Sequence, residues 1–448
     1  MLARIDWHTF VTALLRRQAN MSLYYLLLRG WIHFGNSEAS LRLLSVIFGV
    51  GAVPLIYRLA RELFGSRTGR IAAFLMSIHA FHIQYSQEAR GYTLLVFLVV
   101  LSCHFFVRLL SSVGKSTWAV YILASVLMLY AHVFGVWILL AQWLCAISLS
   151  NSADTRRAVS TAAVAIATLS SPLVISLLLV SDRSQLSWIT PHAALSLSRF
   201  FLDLSGNAHS PLFVLYLFLL LVSLRSFVRG QQQTTSEKIG YVFLWASILL
   251  PTLIVGAISM HWPILQERYL IICLPAFLIL AANGLAQIRS KPVFVAAVMT
   301  IAGLSLLGVN SYYKERADPN HSDNWRDATT YCLSHAQPGD AILFTYSAEE
   351  IPFREYQDRL GGPGPEITLV PEETELALLT RPGTWASPAL VSSVASRDHR
   401  VWVITAFRPN AASSEAQVVL RTQLNEESRR AFGFVTVQLF VPANHELH

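Results

Sequence analysis

The sequence predicts an all-α polytopic membrane bundle followed by a C-terminal α/β domain, and three observations lead to that prediction. Hydrophobic residues make up 54% of the 448 residues and charged residues only 14%, whereas roughly a quarter of the residues in soluble proteins are charged. The apolar residues gather in long runs, for example at 94–106, 162–180 and 213–223. After about residue 312, charges, prolines and glycines return and the apolar runs shorten to strand length.

Ten apolar runs approach the length needed to cross a hydrocarbon core about 30 Å thick. They cover residues 41–60, 70–86, 91–110, 116–131, 133–149, 159–181, 211–227, 239–258, 269–288 and 292–310. Only the stretch from Ala131 to Gly135 separates the fourth run from the fifth, so this pair is either two spans or one bent element.

The loops between these spans differ in charge, and the difference predicts their orientation. The positive loops contain Arg58, Arg61, Arg67, Arg70, Arg108, Lys115, Arg156, Arg157, Arg225, Arg229, Lys238, Arg289 and Lys291. The opposite loops contain only Arg90, Arg183, Arg199 and Arg268 between their spans. Because positive loops are retained in the cytoplasm, the opposite loops and both termini are predicted on the periplasmic side of a bacterial inner membrane.

The first 38 residues are predicted to be an external juxtamembrane segment with two amphipathic helices. Apolar residues recur at helical spacing from Trp7 to Leu15, and residues 23–33 place aromatic rings as at a lipid–water boundary. This segment has no signal peptide, and its arginines favour retention in the cytoplasm. We therefore expect a further span upstream of Met1. The predicted domains are this external segment 1–38, a membrane domain 39–312 and a periplasmic domain 313–448.

The C-terminal domain is predicted from alternating helical and strand patterns. A helix over 324–336 is expected to be capped by Asp323, and a strand is expected over 341–346. Further strands are predicted near 367–370, 400–406 and 433–441, with a helix near 414–430.

Several function classes are disfavoured. The net charge of +7 is scattered singly between apolar spans, which suits membrane topology better than nucleic-acid binding. The four cysteines form no zinc-binding spacing. The sequence contains neither a GxxxxGK[ST] loop nor a GxGxxG motif after a strand, and no Asp-x-Asp pair. Because these nucleotide-binding patterns are missing, a group-transfer donor carried on a lipid is more consistent with the sequence than a nucleotide-linked donor.

The strongest candidate site is the external loop that contains Glu88 and Arg90. A sugar-transfer site needs a carboxylate that accepts a hydroxyl proton or holds a divalent metal, and the sequence does not choose between these roles. It also needs cations that neutralise a leaving phosphate, which arginine does with a bidentate fork. The alternative is structural: Glu88 and Arg90 pair with each other and cap helix ends.

A second external loop contains Arg268 and Tyr269, which would bind a phosphate and stack on a sugar or prenyl chain, unless they are an interfacial anchor. His132 is a weaker candidate for a ligand or base. His79 and His82 have metal-ligand spacing in principle, but no third ligand accompanies them.

Residues 188–191 are expected to open an external loop, and residues 182–210 are expected to influence acceptor choice together with the C-terminal domain.

Several stretches together resemble one family. They are Leu23–Leu28, Gly35–Glu38 with Arg42, Tyr85–Arg90, Arg268–Leu270, Asn324–Arg326 and Pro338–Asp340. The order resembles the membrane glycosyltransferase C superfamily, and within it glycosyltransferase family 39. Its members include dolichyl-phosphate-mannose protein mannosyltransferases, the lipid A aminoarabinose transferase and lipopolysaccharide-core galacturonosyltransferases.

The resemblance implies inverting transfer of a sugar from a polyprenyl phosphate to a lipid, glycan or protein acceptor. Glu88 would line the active cavity, and Arg90 and Arg268 would contact the donor phosphate. Tyr24, Tyr25, Tyr269 and His132 would be candidates for the substrate cavity.

Two departures from the family stand out. The family carries an Asp-Glu pair just after its first span, whereas Asp6 here is followed by Trp7 and has no span before it. Residues 20–22 also replace two family prolines. This chain is therefore expected to lack its general base and to be inactive or severely impaired. A catalytically inactive relative or scaffold stays open, as does a lipid or polysaccharide transporter, although the near absence of Asp, Glu and Lys within the spans disfavours transport.

Overall fold

The structure is a computed structural model, and it describes residues 2–149, 152–179, 193–206, 210–230, 234–262, 264–318, 323–361, 366–371, 373–381, 383–397, 400–406 and 411–442. Contacts between residues divide the chain into two compact units. One unit is Leu14–Tyr312, and the other combines Met1–Ala13 with Tyr313–His448. The predicted external segment 1–38 is thus divided between the two units.

The larger unit is helical. Its helices are α2 (Ser22–Trp31), α3 (Glu38–Ser77), α4 (Ala80–Ser86), α5 (Tyr92–Ser111), α6 (Lys115–Ala131), α7 (Gly135–Leu149), α8 (Ala153–Leu179), α9 (Ala193–Leu204), α10 (Ser210–Arg229), α11 (Thr235–Ser259) and α12 (Leu274–Ala286), and α13 (Lys291–Ala317) continues past its boundary. A π-helical turn and a 3₁₀ turn precede α2, and a 3₁₀ helix, Glu267–Cys273, leads into α12. The short α1 (Trp7–Ala13) belongs to the smaller unit.

Seven of the described helices are long and apolar enough to cross a membrane. They are α3, α5, α8, α10, α11, α13 and the continuous stretch Glu267–Ala286, while α6 and α7 are shorter apolar helices. The first two predicted spans are joined in α3, which breaks at Gly65 with φ of 86°. The predicted polytopic bundle is confirmed, whereas the count of ten spans stays a prediction. The pair 116–131 and 133–149 forms two separate helices.

Polar side chains connect three of these helices inside the bundle. Tyr241 of α11 and Ser223 of α10 both donate hydrogen bonds to the Asn283 side-chain oxygen of α12, at 2.9 and 3.2 Å. All three residues are buried or nearly so, and interhelical hydrogen bonds of this kind are worth about 1 kcal/mol each in a membrane.

Close packing of α10 on α12 depends on Gly284. A Cβ atom at Gly284 would overlap the backbone carbonyl of Leu219, which cannot move without shifting α10. We therefore expect Gly284→Ala to destabilise the bundle by about 1–3 kcal/mol, the usual effect of overpacking. The loss would appear as a lower unfolding temperature of the detergent-solubilised protein. Gly256→Ala is the control, because no atom lies within 4 Å of the added Cβ there; equal stability of the two variants would contradict the prediction.

The C-terminal part of the smaller unit is an α/β domain, as predicted. Its strands are β1 (Ala341–Phe344), β2 (Thr368–Val370), β3 (Val401–Thr405), β4 (Leu424–Phe432) and β5 (Val435–Pro442), and its helices are α14 (Trp325–His335), α15 (Glu350–Arg359), α16 (Glu375–Thr380), α17 (Pro388–Arg397) and α18 (Ala411–Gln423). The strand order is β2-β1-β3-β5-β4. The first three strands are parallel, and β5 pairs antiparallel with both β3 and β4.

Two local predictions in this domain are wrong. Asn324 rather than Asp323 caps α14, since its side chain accepts a hydrogen bond from the Asp327 backbone amide at 3.2 Å. The helix predicted near 414–430 ends at Gln423, and residues 424–432 form β4. This strand is rich in charged residues that favour helices, but pairing with β5 prevails at the sheet edge, where charged side chains are tolerated.

The turn Pro338–Asp340 is a structural feature of this domain. The Asp340 carboxylate accepts hydrogen bonds from the Gln337 backbone amide at 2.9 Å and from the Trp402 indole at 2.8 Å. Arg400 forms an ion pair with Asp340 at 3.2 Å. The carboxylate therefore fixes the start of β1 against the start of β3.

Candidate active site

The two predicted external loops meet around a pair of buried tyrosines, Tyr85 at the end of α4 and Tyr92 at the start of α5. Their ring centroids are 4.9 Å apart. Between them the chain turns tightly, with the Arg90 amide donating a hydrogen bond to the Glu88 carbonyl at 2.8 Å. Glu88 is half-buried and the Arg90 side chain is exposed.

The predicted phosphate-binding residues Arg90 and Arg268 converge on one phenol. Arg90 donates a side-chain hydrogen bond to Tyr92, and the Arg268 guanidinium also acts electrostatically on the Tyr92 hydroxyl. Glu88 lies close enough to interact with both Arg90 and Tyr85. The structure therefore brings Glu88, Arg90 and Arg268 together at one end of the bundle, with the two cations and the carboxylate around the same tyrosine pair.

Tyr24 holds the Glu88–Arg90 turn from behind. It is fully buried, and its hydroxyl lies 2.8 Å from the Ser45 hydroxyl, which in turn donates to the Arg90 carbonyl at 3.2 Å. Burial raises the pKa of Tyr24 to about 12. Its ring also packs against Gly91, where an added Cβ would lie 3.1 Å from the Cβ of Tyr24. Tyr24 thus supports the turn, and its place in a substrate cavity stays a prediction.

Tyr25 occupies a different environment from its neighbour. It is half-buried beside the Arg90 guanidinium. Burial raises the pKa of Tyr25, and the nearby positive charge of Arg90 opposes that shift. A neutral phenol next to an exposed arginine is well placed to contact a bound ligand.

His132 is a packing partner of Tyr269. Their ring centroids are 5.0 Å apart, and the Arg268 guanidinium carbon lies 5.7 Å from the Tyr269 ring centroid, within the range of a cation–π contact. The Asn20 side chain contacts the His132 ring at 3.1 Å. Burial, reinforced by Arg268, lowers the pKa of His132 to about 3. His132 is therefore a neutral ring that positions Tyr269.

Asp203 at the end of α9 lies beside the same tyrosine pair, and the sequence alone did not indicate it. It lies close enough to Tyr85 and to Glu267 for their charges to interact. Burial, together with the Glu267 charge, raises the pKa of Asp203 to about 7, against the opposing effect of Arg199. In the sequence, Asp203 is a single carboxylate between Leu202 and Leu204 in a predicted external segment. That pattern alone does not indicate a functional residue.

The two histidines with metal-ligand spacing serve as structural groups. His79 bonds through Nε2 to the Leu204 carbonyl, and His82 bonds through Nε2 to the Gly49 carbonyl, each at 3.1 Å. Within the described ranges, no three His, Cys, Asp or Glu side chains cluster as metal ligands. Residues 188–191, the predicted opening of an external loop, lie outside the described residues.

Comparison with known proteins adds an independent line of evidence. Residues 23–176 match the family model described as dolichyl-phosphate-mannose-protein mannosyltransferase. No curated protein matches the chain by sequence.

Two solved structures of ArnT share the fold. ArnT from Cupriavidus metallidurans in the apo state matches with a TM-score of 0.59 and 10% identity, over 98% of this chain and 93% of that one. The same protein bound to undecaprenyl phosphate matches at 0.58 and 11%, over 98% and 97%. The archaeal oligosaccharyltransferase AglB from Archaeoglobus fulgidus, in complex with an inhibitory peptide and a dolichol-phosphate, has a TM-score of 0.48 at 13% identity, over 86% and 61%.

The family match and the ArnT-like fold confirm the resemblance to the membrane glycosyltransferase C superfamily. The chain is a multi-pass membrane protein with an ArnT-like fold, and the family model matches its residues 23–176.

Proposed function

We propose that this protein transfers a sugar from a polyprenyl phosphate to a hydroxyl group of a lipid, glycan or protein acceptor at the periplasmic face of the inner membrane. The observation that carries the proposal is the convergence of Arg90 and Arg268 on Tyr92, with Glu88 and Asp203 beside Tyr85. The fold adds support, because ArnT shares it and has been solved with undecaprenyl phosphate bound.

The cations provide the binding energy for the donor. A polyprenyl phosphate places a dense negative charge at the membrane surface, and the two guanidinium groups are suited to its oxygens because arginine binds phosphate with paired N–H donors. The phosphate also gains charge when the bond to the sugar breaks. Arg90 and Arg268 therefore stabilise the transition state more than the ground state, which is the requirement for catalysis.

The carboxylates handle the acceptor. The acceptor oxygen attacks the anomeric carbon, the bond from that carbon to the phosphate oxygen breaks, and the hydroxyl proton passes to a carboxylate. A single displacement of this kind inverts the anomeric configuration. Asp203 is the described carboxylate best suited to accept the proton, because its raised pKa of about 7 is near neutral pH. Glu88 lies next to Arg90 and orients the sugar or the acceptor.

The decisive test is turnover in proteoliposomes. Wild-type protein would be reconstituted with a panel of undecaprenyl-phosphate-linked sugars and lipid A or glycan acceptors, and release of undecaprenyl phosphate would be followed. We expect Glu88→Gln to lose at least about 100-fold in rate, since the charge that orients the reacting groups is removed. Glu315→Gln is the control, because Glu315 is an exposed carboxylate of α13. Full activity of Glu88→Gln would remove Glu88 from the site.

A further inference from the structure

A second charged cleft lies far from the candidate active site. It has a volume of about 500 Å³ and is lined by Arg58, Arg61 and Glu62 of α3 with His104 and Arg108 of α5. Tyr92 begins α5 and Arg108 lies in its last turn. A helix rises about 1.5 Å per residue, so roughly 24 Å separate the two ends, close to the thickness of a hydrocarbon core. The cleft is therefore at the opposite end of the bundle, where the positive loops were predicted.

The cleft carries an excess of positive charge. Three guanidinium groups face a single carboxylate, which leaves two positive charges when His104 is neutral. The Glu62 carboxylate lies 3.1 Å from Nδ1 of His104 and also interacts electrostatically with Arg108. Among the described residues, no acidic side chain forms an ion pair with Arg58, Arg61 or Arg108.

The local backbone keeps these groups together. Arg58 and Arg61 lie one turn apart on α3, just before the helix breaks at Gly65. His104 is buried and lies one turn before Arg108 on α5, which packs against α3. The three arginine side chains are exposed, whereas His104 is buried and Glu62 is half-buried.

We propose that this cleft binds a phosphate group, carried either by an anionic membrane lipid or by a soluble phosphate. Three exposed guanidinium groups outnumber the one carboxylate that lines the cleft and present paired donors to an anion. A basic pocket between helices at a membrane surface is typical of lipid headgroup sites. Arginines that only set the orientation of a membrane protein can be scattered over the loops, whereas these three line one cleft. The site is independent of the sugar-transfer chemistry, since it shares no residue with it.

The test compares two phosphate sources on the intact protein. Wild-type protein in nanodiscs would be titrated with phosphatidic acid against diacylglycerol, which lacks the phosphate, and protein in neutral detergent would be titrated with inorganic phosphate. The triple variant Arg58→Gln, Arg61→Gln, Arg108→Gln is expected to weaken phosphate binding about tenfold or more, because hydrogen bonds to charged groups are among the stronger ones. Binding of phosphatidic acid alone identifies a lipid site, and binding of inorganic phosphate identifies a soluble ligand.

Two further variants make the result decisive. The triple variant Arg70→Gln, Arg225→Gln, Arg229→Gln removes the same charge from exposed positions outside the cleft and should bind like wild type. Glu62→Gln removes the negative charge that the described residues contribute to the cleft and should tighten binding several-fold, a gain that loss of folding cannot imitate. Equal binding by both triple variants, or unchanged binding by Glu62→Gln, would overturn the proposal, as would a wild-type protein that binds neither ligand.

Discussion

Replacement of Arg268 by alanine is expected to reduce sugar transfer by about two to three orders of magnitude, the usual effect of removing one preorganised group that stabilises developing charge. Arg268 is half-buried, lies against Tyr269 and acts on both tyrosines of the pair. Its guanidinium is therefore fixed by its surroundings before the donor arrives. Arg90 is exposed, so it has more freedom, and Arg90→Ala should have the smaller effect.

The kinetic pattern separates a phosphate-binding role from a structural one. Arg268→Lys keeps the charge but loses the planar fork, and should recover only part of the rate. Arg70→Ala, at an exposed position of α3, is the control. The rate with saturating donor and the affinity for undecaprenyl phosphate would be measured separately for each variant. If Arg268→Ala were as active as the control, Arg268 would have no part in the reaction.

Much of the fold was predictable because the constraints are local. In a membrane, the backbone N–H and C=O groups of an apolar run must form hydrogen bonds with each other, and a helix achieves this. The class of fold therefore follows from composition. The helix break in α3 was less predictable. It depends on the positive φ of Gly65, whereas the same sequence pattern also suits two spans that are separated by a loop.

Tertiary pairing explains one of the two predictions that were wrong in the C-terminal domain, the helix near 414–430. Residues 424–430 have helix-forming side chains, but each of these residues except Glu427 has a partner in β5 in the structure. Strand propensity depends on cross-strand neighbours and burial. The order of strands in the sheet determines those neighbours, and the sequence near residues 424–430 does not reveal that order.

The sequence indicated residues of the candidate site where a charge is unusual, but not where a residue matters only through its neighbours in three dimensions. Glu88, Arg90 and Arg268 are recognisable because ionisable residues are rare among apolar spans. Asp203 is equally rare, but its raised pKa comes first from burial in the folded protein and then from Glu267, which lies far along the chain. His132 shows the converse, since its ring contacts with Tyr269 and Asn20 identify a positioning group.

The proton-accepting role of Asp203 predicts a distinctive pH dependence. The carboxyl group is protonated below its pKa of about 7 and ionised above it, so wild-type transfer should rise as the pH passes through 7. Asp203→Asn should lower the rate by about 100-fold or more and remove this rise. Glu267→Gln should move the inflection to lower pH, because the negative charge of Glu267 is one cause of the raised pKa.

Protein stability gives a readout of Asp203 that does not depend on activity. The pKa of this carboxyl group is higher in the folded protein than the usual value of 3.8, so folding favours the protonated form. The contribution of this carboxyl group to the free energy of unfolding is fully present below the pKa that the group has in the unfolded chain. That contribution is lost as the pH rises through about 7, the pKa in the folded protein. Asp203→Asn should therefore unfold at a higher temperature than wild type at pH 8, and the difference should shrink at pH 5. An inflection near pH 7 that survives in Asp203→Asn, together with a pH-independent stability difference, would assign the proton to another group.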